Sequence, residues 1–196
     1  ANSVNHDDIA LYADEARETP VLTWHGLRQQ TEKQSGKPSR CLADFMAPLF
    51  DAQGKPTQLK DYAGVFAVTA GIGVQKREQA FEAAHDDYSA IMLKALADRF
   101  AEAFAECMHE RVRKDLWGYA AQERASLEDL IAEKYQGIRP APGYPACPDH
   151  SVKKQMFELL QCEEIGMGLT SSLAMTPAAS VSGFYLSHPA SQYFNV

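Results

Sequence analysis

The sequence predicts a mixed α+β fold in which helices pack on an antiparallel sheet. Short β-rich segments precede residue 70, helical patterns fill the middle of the chain, and strand and turn signals return after Gly166. Strands and helices that are grouped along the chain in this way are typical of antiparallel sheets covered by helices. The 196 residues, of which 45% are hydrophobic and 23% charged, suit a single domain with a buried core.

Three segments of the first part of the chain favour strands. Residues 8–17 and 21–27 contain β-rich apolar runs. The small, β-favouring run from Val65 to Thr69 predicts a buried strand, and Gly71 closes it.

The longest periodic stretch covers residues 75–114, and we expect it to form one continuous helix. Neither glycine nor proline interrupts it, and it ends in the cationic segment HERVRK, where the helix dipole favours positive charge. Apolar residues recur at spacings of three and four, which predicts one apolar face for packing. That face consists of Phe81, Ala84, Tyr88, Ile91, Met92, Ala95, Leu96, Ala103, Phe104, Cys107 and Met108.

Two shorter helices are expected after it. Ser126 and Asp129 match a capping box at the start of the first. Residues 152–164 form the second, with Asp149 or Ser151 as its cap and a glycine just after its end.

The composition argues against several classes of function. The formal charge of −7 lacks the basic surface that nucleic acids and anionic membranes attract, and no apolar run approaches the ~20 residues of a membrane span. The four cysteines form no CxxC pair, so we interpret them as reduced thiols of a cytoplasmic protein. Both ends of the sequence look cut, and we expect a fragment of something longer.

Two Glu-x-x-His pairs, Glu82–His85 and Glu106–His109, have the spacing found in di-iron carboxylate bundles. Such a site needs its pairs on different helices, whereas both pairs lie on one predicted helix. We therefore interpret them as a solvated polar face and expect no metal. The sequence has neither GxSxG nor HExxH, and Gly71-Ile-Gly73 is too short for a dinucleotide fingerprint.

The segment RPAPGYPACPDH, residues 139–150, is the strongest candidate site. Its prolines fix φ, so the loop is ordered before a ligand arrives. Gly143 permits positive φ or the close approach of a ligand. Arg139 offers a fork for a carboxylate or phosphate, and Tyr144 an aromatic face for a base or a cation. S-adenosylmethionine has a carboxylate, a positive centre and an aromatic ring, and would use all of these features.

Two other interpretations of this segment stay open on pattern alone. It could be a rigid connection between helices. Its RxxPxxP spacing also fits a proline-rich ligand of an SH3-type groove, although such ligands are normally found in exposed, disordered tails.

The sequence resembles the C-terminal activation domain of cobalamin-dependent methionine synthases over nearly its whole length. The resemblance is carried by segments such as HDDYSAIMLKALADRFAEAFAE (85–106), YQGIRPAPGYPACPDH (135–150) and SVSGFYLSHPASQYF (180–194). It implies a bent, mainly antiparallel sheet with a long helix and shorter helices packed on it. It also implies that residues 1–196 are most of one such domain, truncated at both ends.

The resemblance implies a module that binds S-adenosylmethionine for the reductive reactivation of methionine synthase. In that family an electron from flavodoxin or a related flavoprotein reduces cob(II)alamin, and the methyl group of S-adenosylmethionine then restores methylcobalamin. Cobalamin is expected on a separate domain, because the Asp-x-His-x-x-Gly motif is absent here. This chain alone is therefore not expected to make methionine. The alternative is a folded, non-catalytic fragment that docks onto a corrinoid domain or a flavoprotein.

The resemblance also implies which residues bind. The family's Arg-x-x-x-Gly-Tyr motif falls on Arg139, Gly143 and Tyr144, and the arginine is expected to hold the methionyl carboxylate. The expected S-adenosylmethionine-binding residues are Arg139, Ala141, Gly143, Tyr144, Tyr193 and Phe194. The residues expected to face the cleft or the cobalamin are Glu102, Glu133 and His150.

Overall fold

The computed structural model describes residues 1–33 and 36–196. The α+β prediction is confirmed, and the strands come before and after the helices as expected. The strands are β1 (Asn2–Ser3), β2 (Asp8–Tyr12), β3 (Pro20–His25), β4 (Gly64–Thr69), β5 (Gly168–Leu169), β6 (Met175–Thr176) and β7 (Ser180–Tyr185). The α-helices are α1 (Val74–Ala83), α2 (Asp87–Arg111), α3 (Leu127–Ile131) and α4 (Val152–Leu159).

The described strands form three small antiparallel sheets, with the orders β1-β2-β3, β4-β7 and β5-β6. β4 and β7 pair over their full length, with Gly64 opposite Tyr185 and Thr69 opposite Ser180. The first two sheets meet in the core, where the rings of Trp24 and Phe184 stack with their centroids 4.0 Å apart. Both side chains are buried, so this contact fixes the position of β7 against β3.

The prediction of one continuous helix over residues 75–114 is wrong, because the chain turns between α1 and α2. His85 adopts a φ of 57°, in the left-handed region that L-residues rarely enter. The side chain of Asp86 then caps α2 by accepting the backbone N–H of Ser89. The apolar spacing continues across the turn, so periodicity alone does not reveal it.

The face of α2 that packs on β4 and β7 also differs from the predicted apolar face. The buried residues on this helix are Ala90, Ala97, Ala101, Ala105 and His109. Their small side chains let the helix approach the strands closely, while the larger apolar residues point away: Phe100 is 65% exposed and Ile91 is 64% exposed. We call this outer surface the open apolar face. It consists of Tyr88, Ile91, Met92, Leu96, Phe100 and Phe104.

The two shorter helices begin where the sequence predicts, but the second is shorter than expected. Ser126 and Asp129 form the expected capping box at the start of α3. Ser151 is the N-cap residue of α4, and Asp149 accepts hydrogen bonds from its backbone N–H and its hydroxyl. The expected helix over residues 152–164 is interrupted, because Gln161 has a φ of 52° and a short 3-10 turn follows it.

α2 continues into one π-helical turn, Val112–Leu116. This turn brings Arg113 into the interior, where its side chain is fully buried. Wider turns of this kind within an α-helix are frequent at functional sites. None of the described helices has the length and apolar character needed to cross a membrane.

Candidate functional site

The candidate site is a cavity of about 550 Å³ between the proline-rich loop, the last residues of the chain and one side of α2. Its volume lies within the range of about 300–1,000 Å³ that is usual for small-molecule sites. Seven of the nine residues expected from the sequence line it: Glu102, Glu133, Arg139, Ala141, Tyr144, Tyr193 and Phe194.

The two other expected residues, Gly143 and His150, shape the loop instead of lining the cavity. Gly143 has a φ of 99°. A methyl group on Gly143 would lie 2.8 Å from Nε2 of His150, so the imidazole fills the space left by the missing side chain. The backbone N–H of Gly143 donates to the carbonyl of Cys147, and that of Cys147 donates to the carbonyl of Tyr144. The loop is therefore held by its own contacts without a ligand.

Cys147 forms part of the cavity wall and is itself buried. The indole N–H of Trp24 donates to its sulfur. Burial raises the pKa of the Cys147 thiol to about 12, an effect that outweighs this hydrogen bond. The thiol therefore stays protonated at neutral pH and is a poor nucleophile.

Arg139 is held at one end of the cavity by contacts on both of its terminal nitrogens. Nη1 donates to the hydroxyl of Tyr135 at 2.7 Å, and Nη2 lies 2.7 Å from Oε2 of Glu106. The backbone N–H of Arg139 donates to the hydroxyl of Tyr193 at 2.9 Å, which ties the end of the chain to the loop.

Below Arg139 lies a second, fully buried guanidinium, that of Arg113. Its Nε and Nη2 donate to the carboxylate of Glu123 at 2.9 and 2.8 Å. Its central carbon lies 3.9 Å from the ring centroid of Tyr135, a cation–π contact. A buried charge needs partners of this kind, since removal from water costs several kcal/mol per ion.

His109 lies beside these two guanidiniums. Its ring stacks on Tyr185 with 5.1 Å between centroids. Burial, together with the charges of Arg113 and Arg139, lowers the pKa of His109 to about 3, so the ring is neutral at physiological pH. The neutral ring adds no positive charge to a region that already holds two arginines.

The polar residues beneath the cavity were not recognised in the sequence. Glu106 and His109 were interpreted as a solvated polar face, whereas Glu106 pairs with Arg139 and His109 is buried. A usable signal did exist. His109 follows Ala97, Ala101 and Ala105 at steps of four on the same side of the helix, and a run of alanines at this spacing marks the side that approaches a neighbour closely. Glu106 lies off this side, and the sequence holds no comparable signal for it. Among the described residues, no group of three or more His, Cys, Asp and Glu side chains is arranged to hold a metal ion.

A second cavity of about 700 Å³ lies at the start of α1. It contains none of the residues expected from the sequence, and an ion pair of 2.7 Å between Lys94 and Glu78 spans part of its wall. We therefore place the candidate site in the first cavity.

Known proteins match both the sequence and this fold. The family model of the vitamin B12 dependent methionine synthase activation domain matches residues 1–196. A crystal structure of the MetH reactivation domain bound to AdoHcy is 57% identical to this chain, with a TM-score of 0.86. The match covers 96% of this chain and 56% of that one, so the chain spans little more than half the length of its solved relative. This chain belongs to the family of activation domains of vitamin B12-dependent methionine synthases.

Proposed function

We propose that this chain binds S-adenosylmethionine and serves the reductive reactivation of a cobalamin-dependent methionine synthase. The observation that carries the proposal is the cavity in which Arg139, four aromatic side chains and two carboxylates converge. The crystal structure of the relative supports it, because that reactivation domain is bound to AdoHcy. AdoHcy differs from S-adenosylmethionine only by the methyl group that is transferred.

The carboxylate, the adenine ring and the positively charged groups of the ligand each have complementary side chains in the cavity. Arg139 still has N–H donors to offer after its bonds to Tyr135 and Glu106, and we assign it to the ligand carboxylate. The aromatic side chains offer faces to the adenine ring. They are Phe66, Tyr144, Tyr193 and Phe194. The carboxylates of Glu102 and Glu133 supply negative charge for the sulfonium and the ammonium of the ligand.

The chain's task in the reaction is orientation. Bound S-adenosylmethionine supplies an electrophilic methyl group, and reduced cobalamin on another part of the enzyme supplies the nucleophile. The residues of this chain hold the ligand in place, so no general base is required. The protonated state of Cys147 is important here, because a thiolate in the wall would compete for the same methyl group.

The other parts of the system belong to the complete enzyme. We propose that residues 1–196 form a single domain, most of an activation domain, which meets the cobalamin-binding domain during reactivation. The electron comes from flavodoxin or a related flavoprotein in the cytoplasm. Methyl transfer to homocysteine, and so the synthesis of methionine, takes place on other domains.

The decisive experiment is calorimetric titration of S-adenosylmethionine into this chain and into its Arg139→Ala variant. Loss of a charge-assisted hydrogen bond to the carboxylate should raise Kd by about tenfold or more. Lys154→Ala serves as the control, since it removes an exposed cation from α4, away from the cavity. Equal affinity of the wild type and Arg139→Ala would contradict the assignment of Arg139.

A second candidate function is a non-catalytic interaction module that docks onto a corrinoid domain or a flavoprotein. The open apolar face on α2 favours it, since large exposed apolar surfaces mark sites of protein association. This alternative predicts no heat on titration with S-adenosylmethionine, together with retained association with the cobalamin-binding domain.

A further inference from the structure

Apart from Arg139, the charged cluster beneath the cavity has no part in the proposed binding step as described so far. Two arginines and two glutamates, Arg113, Arg139, Glu106 and Glu123, are packed into a region where Arg113 is fully buried. Replacing a buried ion pair with apolar residues often leaves stability unchanged or improves it. Stability alone therefore does not account for this cluster.

The contacts of Arg139 are those of a side chain whose direction is set in advance. Tyr135 and Glu106 contact different terminal nitrogens, each at 2.7 Å, so the plane of the guanidinium is defined from two sides. Nη1 also lies 3.4 Å from Nδ1 of His109. A guanidinium has five N–H groups, so these three contacts leave others for a ligand. A free arginine loses about 2 kcal/mol of rotamer entropy on being ordered, and a side chain already held avoids that loss on binding.

Arg113 in turn lies against both Tyr135 and Glu106. Its guanidinium packs on the ring of Tyr135 at 3.9 Å, and its Nη1 lies 3.9 Å from Oε1 of Glu106. Among the described residues, neither Nη1 of Arg113 nor Oε1 of Glu106 has a hydrogen-bond partner. The bidentate contact with Glu123 and the π-helical turn of α2 keep Arg113 in place. The cluster thus forms one connected support that ends at Arg139.

We infer that Tyr135 and Glu106 are positioning residues, which hold the Arg139 guanidinium in the orientation that receives the carboxylate of the ligand. This role presupposes that Arg139 binds the carboxylate as proposed above. Neither residue lines the cavity, so both act only through Arg139. Their effect is therefore restricted to ligands that carry the carboxylate.

The test compares the binding of two ligands to this chain. S-adenosylmethionine has the carboxylate, whereas 5′-methylthioadenosine keeps the adenosine and the sulfur but lacks the amino-acid part. Tyr135→Phe preserves the ring on which Arg113 packs and removes only the hydroxyl that accepts from Arg139. We expect Kd for S-adenosylmethionine to rise about fivefold, the effect of one hydrogen bond, and Kd for 5′-methylthioadenosine to stay unchanged.

Two further variants sharpen the comparison. Glu106→Ala should weaken S-adenosylmethionine binding, and Glu106→Gln should restore part of it, because the amide oxygen still accepts from Arg139. Tyr62→Phe is the matched control, since Tyr62 is exposed, its hydroxyl donates to Glu15 and it does not line the cavity. It should leave both affinities unchanged.

The outcomes separate this inference from the proposed function. If Arg139→Ala weakens S-adenosylmethionine binding and Tyr135→Phe does not, the positioning role is wrong and the assignment of Arg139 stands. If Tyr135→Phe weakens both ligands equally, its effect is a general structural one and the positioning role is again wrong. If Arg139→Ala has no effect, the assignment of Arg139 fails first. In an Arg139→Ala background, Tyr135→Phe should have no further effect on Kd.

Discussion

The contact between Gly143 and His150 shows how a missing side chain can shape a binding loop. Gly143 has a positive φ, and the imidazole occupies the place that a Cβ would take. The sequence allowed two reasons for this glycine, its backbone conformation and the approach of a ligand. In the structure the space beside it is taken by a residue of the same loop.

We expect Gly143→Ala to displace the loop and weaken S-adenosylmethionine binding by about tenfold or more, because strain at positive φ and a steric collision act together. Thermal unfolding and ligand titration measure the two effects. Gly54→Ala is the control, since Gly54 has a φ of 75° but open space around it. Adding His150→Ala to Gly143→Ala removes the collision and should recover part of the affinity, and the absence of any recovery would refute this account.

At the scale of residues, the sequence predicted the role of a side chain where that role depends only on the chemical group the side chain carries. The guanidinium of Arg139 and the ring of Tyr144 were selected for what these groups bind, and both line the cavity. The parts played by Tyr135 and Arg113 depend on partners that only the fold brings near. No local pattern identifies such residues.

At the scale of elements, α2 shows that the small residues of a helix can form its packed face. Apolar spacing predicted the larger residues as that face, and the structure places alanines there. Both faces repeat with the helical period, so periodicity could not distinguish them. The turn at His85 was missed for a related reason, because the apolar pattern runs on through it.

Two alanine-to-leucine substitutions, one on the buried side of α2 and one on its exposed side, test this orientation of the helix. Ala101 is 1% exposed against the neighbouring strands, whereas Ala103 is exposed to solvent. We expect Ala101→Leu to lower the free energy of unfolding by about 1–3 kcal/mol through overpacking. Ala103→Leu should change it by less than about 0.5 kcal/mol. Denaturant unfolding measures both, and equal effects would mean that the packed face is wrongly assigned.

At the scale of the whole molecule, the fold class was predictable and the division of the sheets was not. The order of β-rich and helical segments led to the α+β class, which the structure confirms. The described strands are divided among three sheets, because several strands are only two residues long and pairing partners such as β4 and β7 lie far apart in the chain. Partner choice of this kind depends on tertiary packing, which single segments do not encode.

The open apolar face is a property of the whole molecule, since it arises from what packs on α2 and what does not. We expect this 196-residue chain to bind a hydrophobic dye, and Ile91→Glu with Phe100→Glu to reduce the fluorescence strongly. Both side chains are mostly exposed, so the free energy of unfolding should change by less than about 0.5 kcal/mol each. Unchanged dye fluorescence in the double variant would show that the dye binds elsewhere.

The cavity draws its walls from residues as far apart as Leu42 and Asn195. The last of them in the sequence are Tyr193, Phe194 and Asn195, which follow β7, and the hydroxyl of Tyr193 accepts the N–H of Arg139. The contact between Trp24 and Phe184 in the core involves none of these residues, whereas the cavity needs them. A nascent chain that stops after β7 would be folded in its core and still unable to enclose a ligand.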